Sequence, residues 1–149
     1  MAIKGTGYRA RHKRWLPANL RKNRSNKYGA ARCECASYTE LAGLSFPSKL
    51  ERSVARDLVL LQRAGIISSL QFQPKIILTD ANISWRVDFS YIEGGVTWYH
   101  EAKGDEDRGY KIKKKLWTVY GPAPLRITKG TERKHGVVET ITPKRKGNK

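Results

Sequence analysis

The segment 83–103 constrains the chain most, because two alternating runs, 83–91 and 96–103, flank Glu93-Gly94-Gly95. Glycine accepts the positive φ of a tight hairpin turn without steric cost, so a two-residue Gly94-Gly95 loop joining antiparallel strands is predicted. Glu93 then pairs with Val96, and every later pair has residue numbers summing to 189. In that register Asp88 faces Glu101 and Arg86 faces Lys103. Alternation puts Ser84, Arg86, Asp88, Ser90, Thr97, Tyr99, Glu101 and Lys103 on one side of the hairpin. The other side receives Ile83, Trp85, Val87, Phe89, Tyr91, Val96, Trp98, His100 and Ala102. The first side is polar, and the second predicts the buried face, with His100 a satisfied core histidine rather than a base.

Two carboxylates directly opposite on a hairpin have Cβ atoms ~5 Å apart and repel unless a cation or proton lies between them. A hard divalent ion such as Mg²⁺, with Mn²⁺ as a substitute, resolves the conflict; it activates a water and neutralises a phosphodiester. Lys103 projects on the same side as Glu101, where an ammonium can orient that water or stabilise developing phosphorane charge. Spacing alone also permits a second reading, a solvated face on which Lys103 balances the acids as a surface ion-pair cluster.

The flanking sequence supplies further elements. Within 48–64, Leu50, Val54, Leu58 and Leu61 fall on one helical stripe, with Ser48 three residues before Glu51 in capping-box spacing and Gly65 as the stop. One strand, bent or interrupted, is expected over 66–78, where Pro74 marks an edge or a start. A second helix is expected over 110–120 with Ile112, Leu116, Val119 and Tyr120 inward and Lys111, Lys113, Lys114 and Lys115 spread around the rest. A short strand over 125–128 closes the order helix, three strands, helix, strand: an α/β or α+β sandwich around a mixed sheet.

Lys and Arg number 30 against 13 Asp and Glu in 149 residues, a net charge of +17. Repulsion on that scale points to a polyanionic partner, nucleic acid first. Residues 1–32 hold ten Lys or Arg and no acid, with Tyr8, Trp15 and Tyr28 interleaved. Arg9, Arg11, Lys13, Arg14, Arg21, Lys22, Arg24 and Lys27 are expected to contact phosphates, as are the lysines of the second helix. A solvated tail without a specific role is the alternative for this run. The expected organisation is a basic arm over 1–45, a core over 46–130 and a basic tail over 131–149. No run approaches the ~18 apolar residues of a spanning helix and no apolar secretion segment is evident, so a cytoplasmic protein without a membrane partner is expected. Cys33 and Cys35 stand too close to bridge each other, and His12, His100 and His135 show no spacing that completes a zinc site around them.

Asp88, twelve intervening residues and Glu101-Ala102-Lys103 resemble the D…(D/E)-X-K signature of the PD-(D/E)XK nuclease superfamily. The similarity to small phage proteins of that superfamily extends over 26–128. It runs through Lys27-Tyr28-Gly29, Ser48-Lys49-Leu50-Glu51, Leu60-Leu61-Gln62-Arg63-Ala64-Gly65-Ile66 and Gln73-Pro74. It continues through Val87-Asp88-Phe89-Ser90-Tyr91, Glu101-Ala102-Lys103-Gly104 and Ile112-Lys113-Lys114-Lys115-Leu116-Trp117. The resemblance implies a restriction-endonuclease-like αβββαβ core. It also implies Asp88, Glu101, Glu51 and Ala102 as metal-holding positions, with Lys103 and Gln73 beside them in the catalytic site. By its own sequence context Glu51 is equally a capping glutamate. Val87 stands where the superfamily's naming proline would be.

Some relatives are endonuclease-I-type enzymes that resolve Holliday junctions, which implies branched DNA as substrate. A homodimer is expected because two symmetric cuts are most simply made by a two-fold assembly. The rival readings are a non-catalytic basic nucleic-acid-binding protein, or a nuclease of this fold acting on RNA, single-stranded or nicked DNA. Opposed carboxylates argue against the pure binder, since they repel the phosphate it would hold.

Overall fold

The computed structural model describes residues 33–34 and 38–144. The arm positions from Arg9 to Lys27, Cys35 and residues 145–149 lie outside them. Short strands β1 (Cys33–Glu34) and β2 (Ser45–Phe46) pair antiparallel on either side of a 3-10 turn at Thr39–Leu41, and α1 (Lys49–Arg63) follows. Ser48 starts α1: its Oγ accepts the Glu51 N–H at 3.1 Å, and Gly65 at φ +71 turns the chain away after the last turn. Leu50, Val54 and Leu58 are buried along the predicted stripe, and Leu61 packs beside them.

Beyond α1 come β3 (Ile67–Phe72), β4 (Lys75–Ile77), β5 (Ser84–Arg86), β6 (Phe89–Glu93) and β7 (Val96–Ala102). Helix α2 (Arg108–Tyr120) and strands β8 (Leu125–Gly130) and β9 (His135–Ile141) complete the order. The central sheet runs β3-β6-β7-β8-β9, antiparallel except for the β7–β8 pair. The architecture is therefore α+β with a mixed central sheet, the class expected from the element order. One core cluster joins α1 to Phe89, Tyr91 and Ile67; a second joins α2 to Trp85, Val87, Leu125 and Ile127.

The β6–β7 hairpin has the predicted register, from Glu93↔Val96 to Phe89↔His100, with Gly94 and Gly95 at φ +57 and +77. The strand expected over 83–91 nevertheless divides at Val87-Asp88, and the one over 66–78 divides at Gln73-Pro74. Both breaks belong to one bend. From Gln71↔Ser90 and Phe72↔Phe89 to Lys75↔Arg86 and Ile77↔Ser84, partner numbers keep summing to 161, so the ladder holds its register through the interruption. Pro74 has no N–H to donate and Gln73 sits at φ +52, which turns the β4–β5 pair out of the central sheet. Arg86 consequently pairs with Lys75 and not with Lys103.

Three further expectations are corrected. The polar side of the hairpin is not the open one: Ser90 and Glu101 are buried, and Tyr99 on the same side packs against Trp117 of α2 at 5.1 Å. Helix α2 turns Tyr110 and Trp117 inward, leaving Ile112, Val119 and Tyr120 exposed, because Trp117 and Tyr110 pack edge-on against Trp85 and bury more area than the aliphatic stripe. The boundaries also move. Leu41, placed in the arm, is fully buried in the first core cluster, and much of the expected tail is β9, paired along β8.

Candidate metal centre

At the bend the backbone ladder between β6 and β7 ends with Phe89↔His100, and two carboxylates take over its hydrogen bonding. The Asp88 N–H donates to Glu101 Oε2 at 3.3 Å, and the Ala102 N–H donates to Asp88 Oδ2 at 2.8 Å. Each acid thus binds the backbone of the strand opposite, and the two face each other as the hairpin register predicts. Main-chain anchoring on both sides fixes these side chains without their having to bond each other.

Their electrostatics are unfavourable as they stand. Burial pushes Asp88 up to about 7, against the lowering pull of the Ala102 N–H and the Lys103 charge. Glu101, 7% exposed, is raised well above the usual carboxylate range by burial first and by the Asp88 charge second, with Glu51 adding to the rise. Lys103 partly offsets this. Its N–H donates to Thr128 O at 2.9 Å, and its ammonium lies 5.2 Å from the centre of the Tyr110 ring.

Glu51 is 4% exposed on the first turn of α1 and lines a cleft of about 170 Å³ with Gln73, Asp88, Ser45, Phe46 and Phe72. Gln73 meets the site through its main chain, its N–H donating to Asp88 O at 2.8 Å, while its side chain is exposed. The sequence-derived residues Asp88, Glu101, Ala102, Lys103, Glu51 and Gln73 therefore gather at one end of the sheet. Glu51 does not close on the other two acids: among the described residues no three His, Cys, Asp or Glu side chains stand together as a ready cage. Asp88, Glu101 and the carbonyl that Ala102 can offer still suit Mg²⁺, which commonly takes one or two carboxylates and keeps several waters. Two opposed acids whose proton affinities are both raised are the kind of donor pair a divalent cation relieves.

Around the site the cations divide. Lys111 and Lys115 are exposed and Lys113 is half-buried. Lys114, expected to contact phosphate, is instead held by Glu139 at 2.5 Å and Glu106 at 3.3 Å, so its charge is engaged within the fold. Lys75 and Arg86, passed over in the sequence, are exposed cross-strand partners just beyond the bend. Like charges so paired are mutually unfavourable without an anion. His100 is a core residue, its ring nitrogens 3.2 Å from Tyr91 Oη and 2.7 Å from Thr128 Oγ1, and burial lowers its pKa to about 4.

A larger cleft of about 1090 Å³ opens at the other end of β7, beside Val96, Tyr120, Pro122 and Pro143, away from the paired acids. No helix among the described residues is long and apolar enough to cross a membrane. Compared with known families and with curated proteins, the chain gives no match.

Proposed function

We propose that the protein is a metal-dependent endonuclease that hydrolyses DNA phosphodiester bonds. The reading rests on one observation: buried Glu101 and half-buried Asp88, locked into a gap in the backbone ladder beside a lysine, both have raised proton affinity, Glu101 in part through the Asp88 charge. Ionised together, the two acids repel each other unless a cation joins them. Asp88, Glu101 and the Ala102 carbonyl would hold Mg²⁺ or Mn²⁺, and Glu51 would orient a water of its shell from the α1 side. A bound divalent ion supplies a water of lowered pKa and charge to stabilise the pentavalent phosphorus. Lys103 supplies a second positive charge on the reacting phosphate.

The net charge of +17, the basic run over 1–32 and the opposed Lys75 and Arg86 support a nucleic-acid substrate. Branched DNA cut by a homodimer is the substrate and assembly we favour, from the likeness to junction-resolving nucleases and the symmetry of paired incisions. A cytoplasmic site of action goes with it. The deciding experiment incubates the protein with four-way junction, linear duplex and single-stranded DNA and with RNA, in Mg²⁺, Mn²⁺ or chelator. The expected result is metal-dependent cutting, fastest on the junction. Cutting in excess chelator, or none in any metal, refutes the proposal.

A further inference from the structure

Tyr110 lies at the third position of α2, its N–H bound by the Asp107 cap at 2.7 Å, and its ring packs edge-on against Trp85 at 5.5 Å. The residue is 5% exposed, and its hydroxyl is the one buried side-chain polar atom among the described residues that has no hydrogen-bond partner. Leaving a buried hydroxyl unsatisfied is costly, and a fold tolerates it most readily where a ligand supplies the missing partner. Its surroundings identify that place. The Lys103 ammonium lies over the ring at 5.2 Å and that of Lys114 at 5.9 Å, and the charges of Glu101, Glu106, Glu139 and Asp88 reach the phenol, Glu101 most strongly.

We propose that the Tyr110 hydroxyl is a further catalytic group of the paired-carboxylate site, donating its hydrogen bond to a non-bridging oxygen of the reacting phosphate as charge develops on it. The inference rests on the nuclease reading above. The neighbouring carboxylates are acceptors too, but the hydroxyl bonds none of them: Asp88 and Glu101 each accept a main-chain N–H, and Glu106 and Glu139 hold Lys114. A phenol surrounded by acids stays protonated, which makes it a donor and excludes it as a base. Of the two ammonium groups over the ring, that of Lys114 is held by Glu106 and Glu139, which leaves the flexible side chain of Lys103 as the one that can move. Moving its ammonium onto a phosphate would open the phenol to the same oxygens, so the Lys103 charge and the Tyr110 hydroxyl would act on one phosphate.

Tyr110→Phe isolates the hydroxyl, since the phenyl ring keeps the packing on Trp85 and the face beneath Lys103. Three measurements are made on the full chain: thermal midpoint in chelator, affinity for four-way junction and duplex DNA in chelator, and kcat in Mg²⁺. The expected result is a midpoint raised by roughly 2–6 °C, because an unsatisfied donor has been removed. Affinity should stay within about twofold, and kcat should fall about ten- to a hundredfold, as for the loss of one donor to a developing oxyanion. A lowered midpoint would show the hydroxyl already bonded in the resting protein and would overturn the inference. So would an unchanged kcat alongside active wild type. Wild-type protein that cuts no nucleic acid in either metal would overturn the nuclease reading and this inference together.

Discussion

Replacing Asp88 with Asn should make the metal-free protein more stable while abolishing cleavage. The carboxyl is held at about 7 against an ordinary 3.8, with burial as the main cause. In the unfolded chain it ionises near its ordinary value. Between about pH 4 and pH 7 the folded state therefore binds the extra proton, so stability is greatest at the acid end of that window and falls as pH rises through it. At ~1.4 kcal/mol for each tenfold change in proton affinity, the ionised carboxylate costs up to about 4 kcal/mol, and about 2–4 after local relaxation and water entry. Asn removes that cost, and its amide oxygen can still accept the Ala102 N–H. Urea melts in chelator at pH 5, 6.5 and 8 test the reasoning: the stability of wild type relative to Asp88→Asn should fall from pH 5 to 8. Adding Mg²⁺ at pH 8 should restore the wild type and leave the variant unchanged, since only the wild type keeps the full ligand set. His100, lowered to about 4 by burial, costs stability as pH falls below its ordinary 6.5, and Glu101, raised by burial first, costs it as pH rises. Both are present in wild type and variant, so the difference between the two proteins carries the test, which Glu40, drawn to about 2 by Arg63, does not disturb. A stability of wild type relative to the variant that rises from pH 5 to 8, or a variant less stable than wild type at pH 8, would refute it.

Lys103→Ala should lower kcat by about a hundredfold with DNA affinity within threefold, measured by single-turnover cleavage and titration; parallel losses would make Lys103 a binding residue. Removing residues 1–32, with their ten cations, should flatten the dependence of log affinity on log salt, and an unchanged slope would mean the arm takes no phosphates. Ser48→Ala should cost about 1 kcal/mol in urea denaturation, because the Glu51 N–H loses its acceptor at the start of α1. The same variant should weaken Mg²⁺ binding only slightly if Glu51 acts through water; calorimetric titration would show a large loss if it ligates directly.

Local rules carried the parts of this protein that depend on neighbours in sequence. The Gly94-Gly95 turn sets the hairpin register because only glycine enters positive φ freely at both positions, and that register alone places Asp88 against Glu101. Ser48 and Gly65 mark α1 because cap chemistry is local, and His100 lands in the core by alternation. The bend at Gln73-Pro74 was legible as a break in a strand. Its consequence was not: the turned-out β4–β5 pair carries Trp85 and Val87 to α2 and leaves the gap into which the carboxylates fit. Which face of a sheet is covered depends on where the helices pack, and period-two polarity cannot report that when a covered face carries acids. The inward turn of α2, the capture of Lys114 by Glu106 and Glu139, and the unpartnered Tyr110 hydroxyl beside Lys103 likewise come from residues brought together across the fold. Rings and charges far apart in the chain compete for the same space, and packing alone determines which of them reach it.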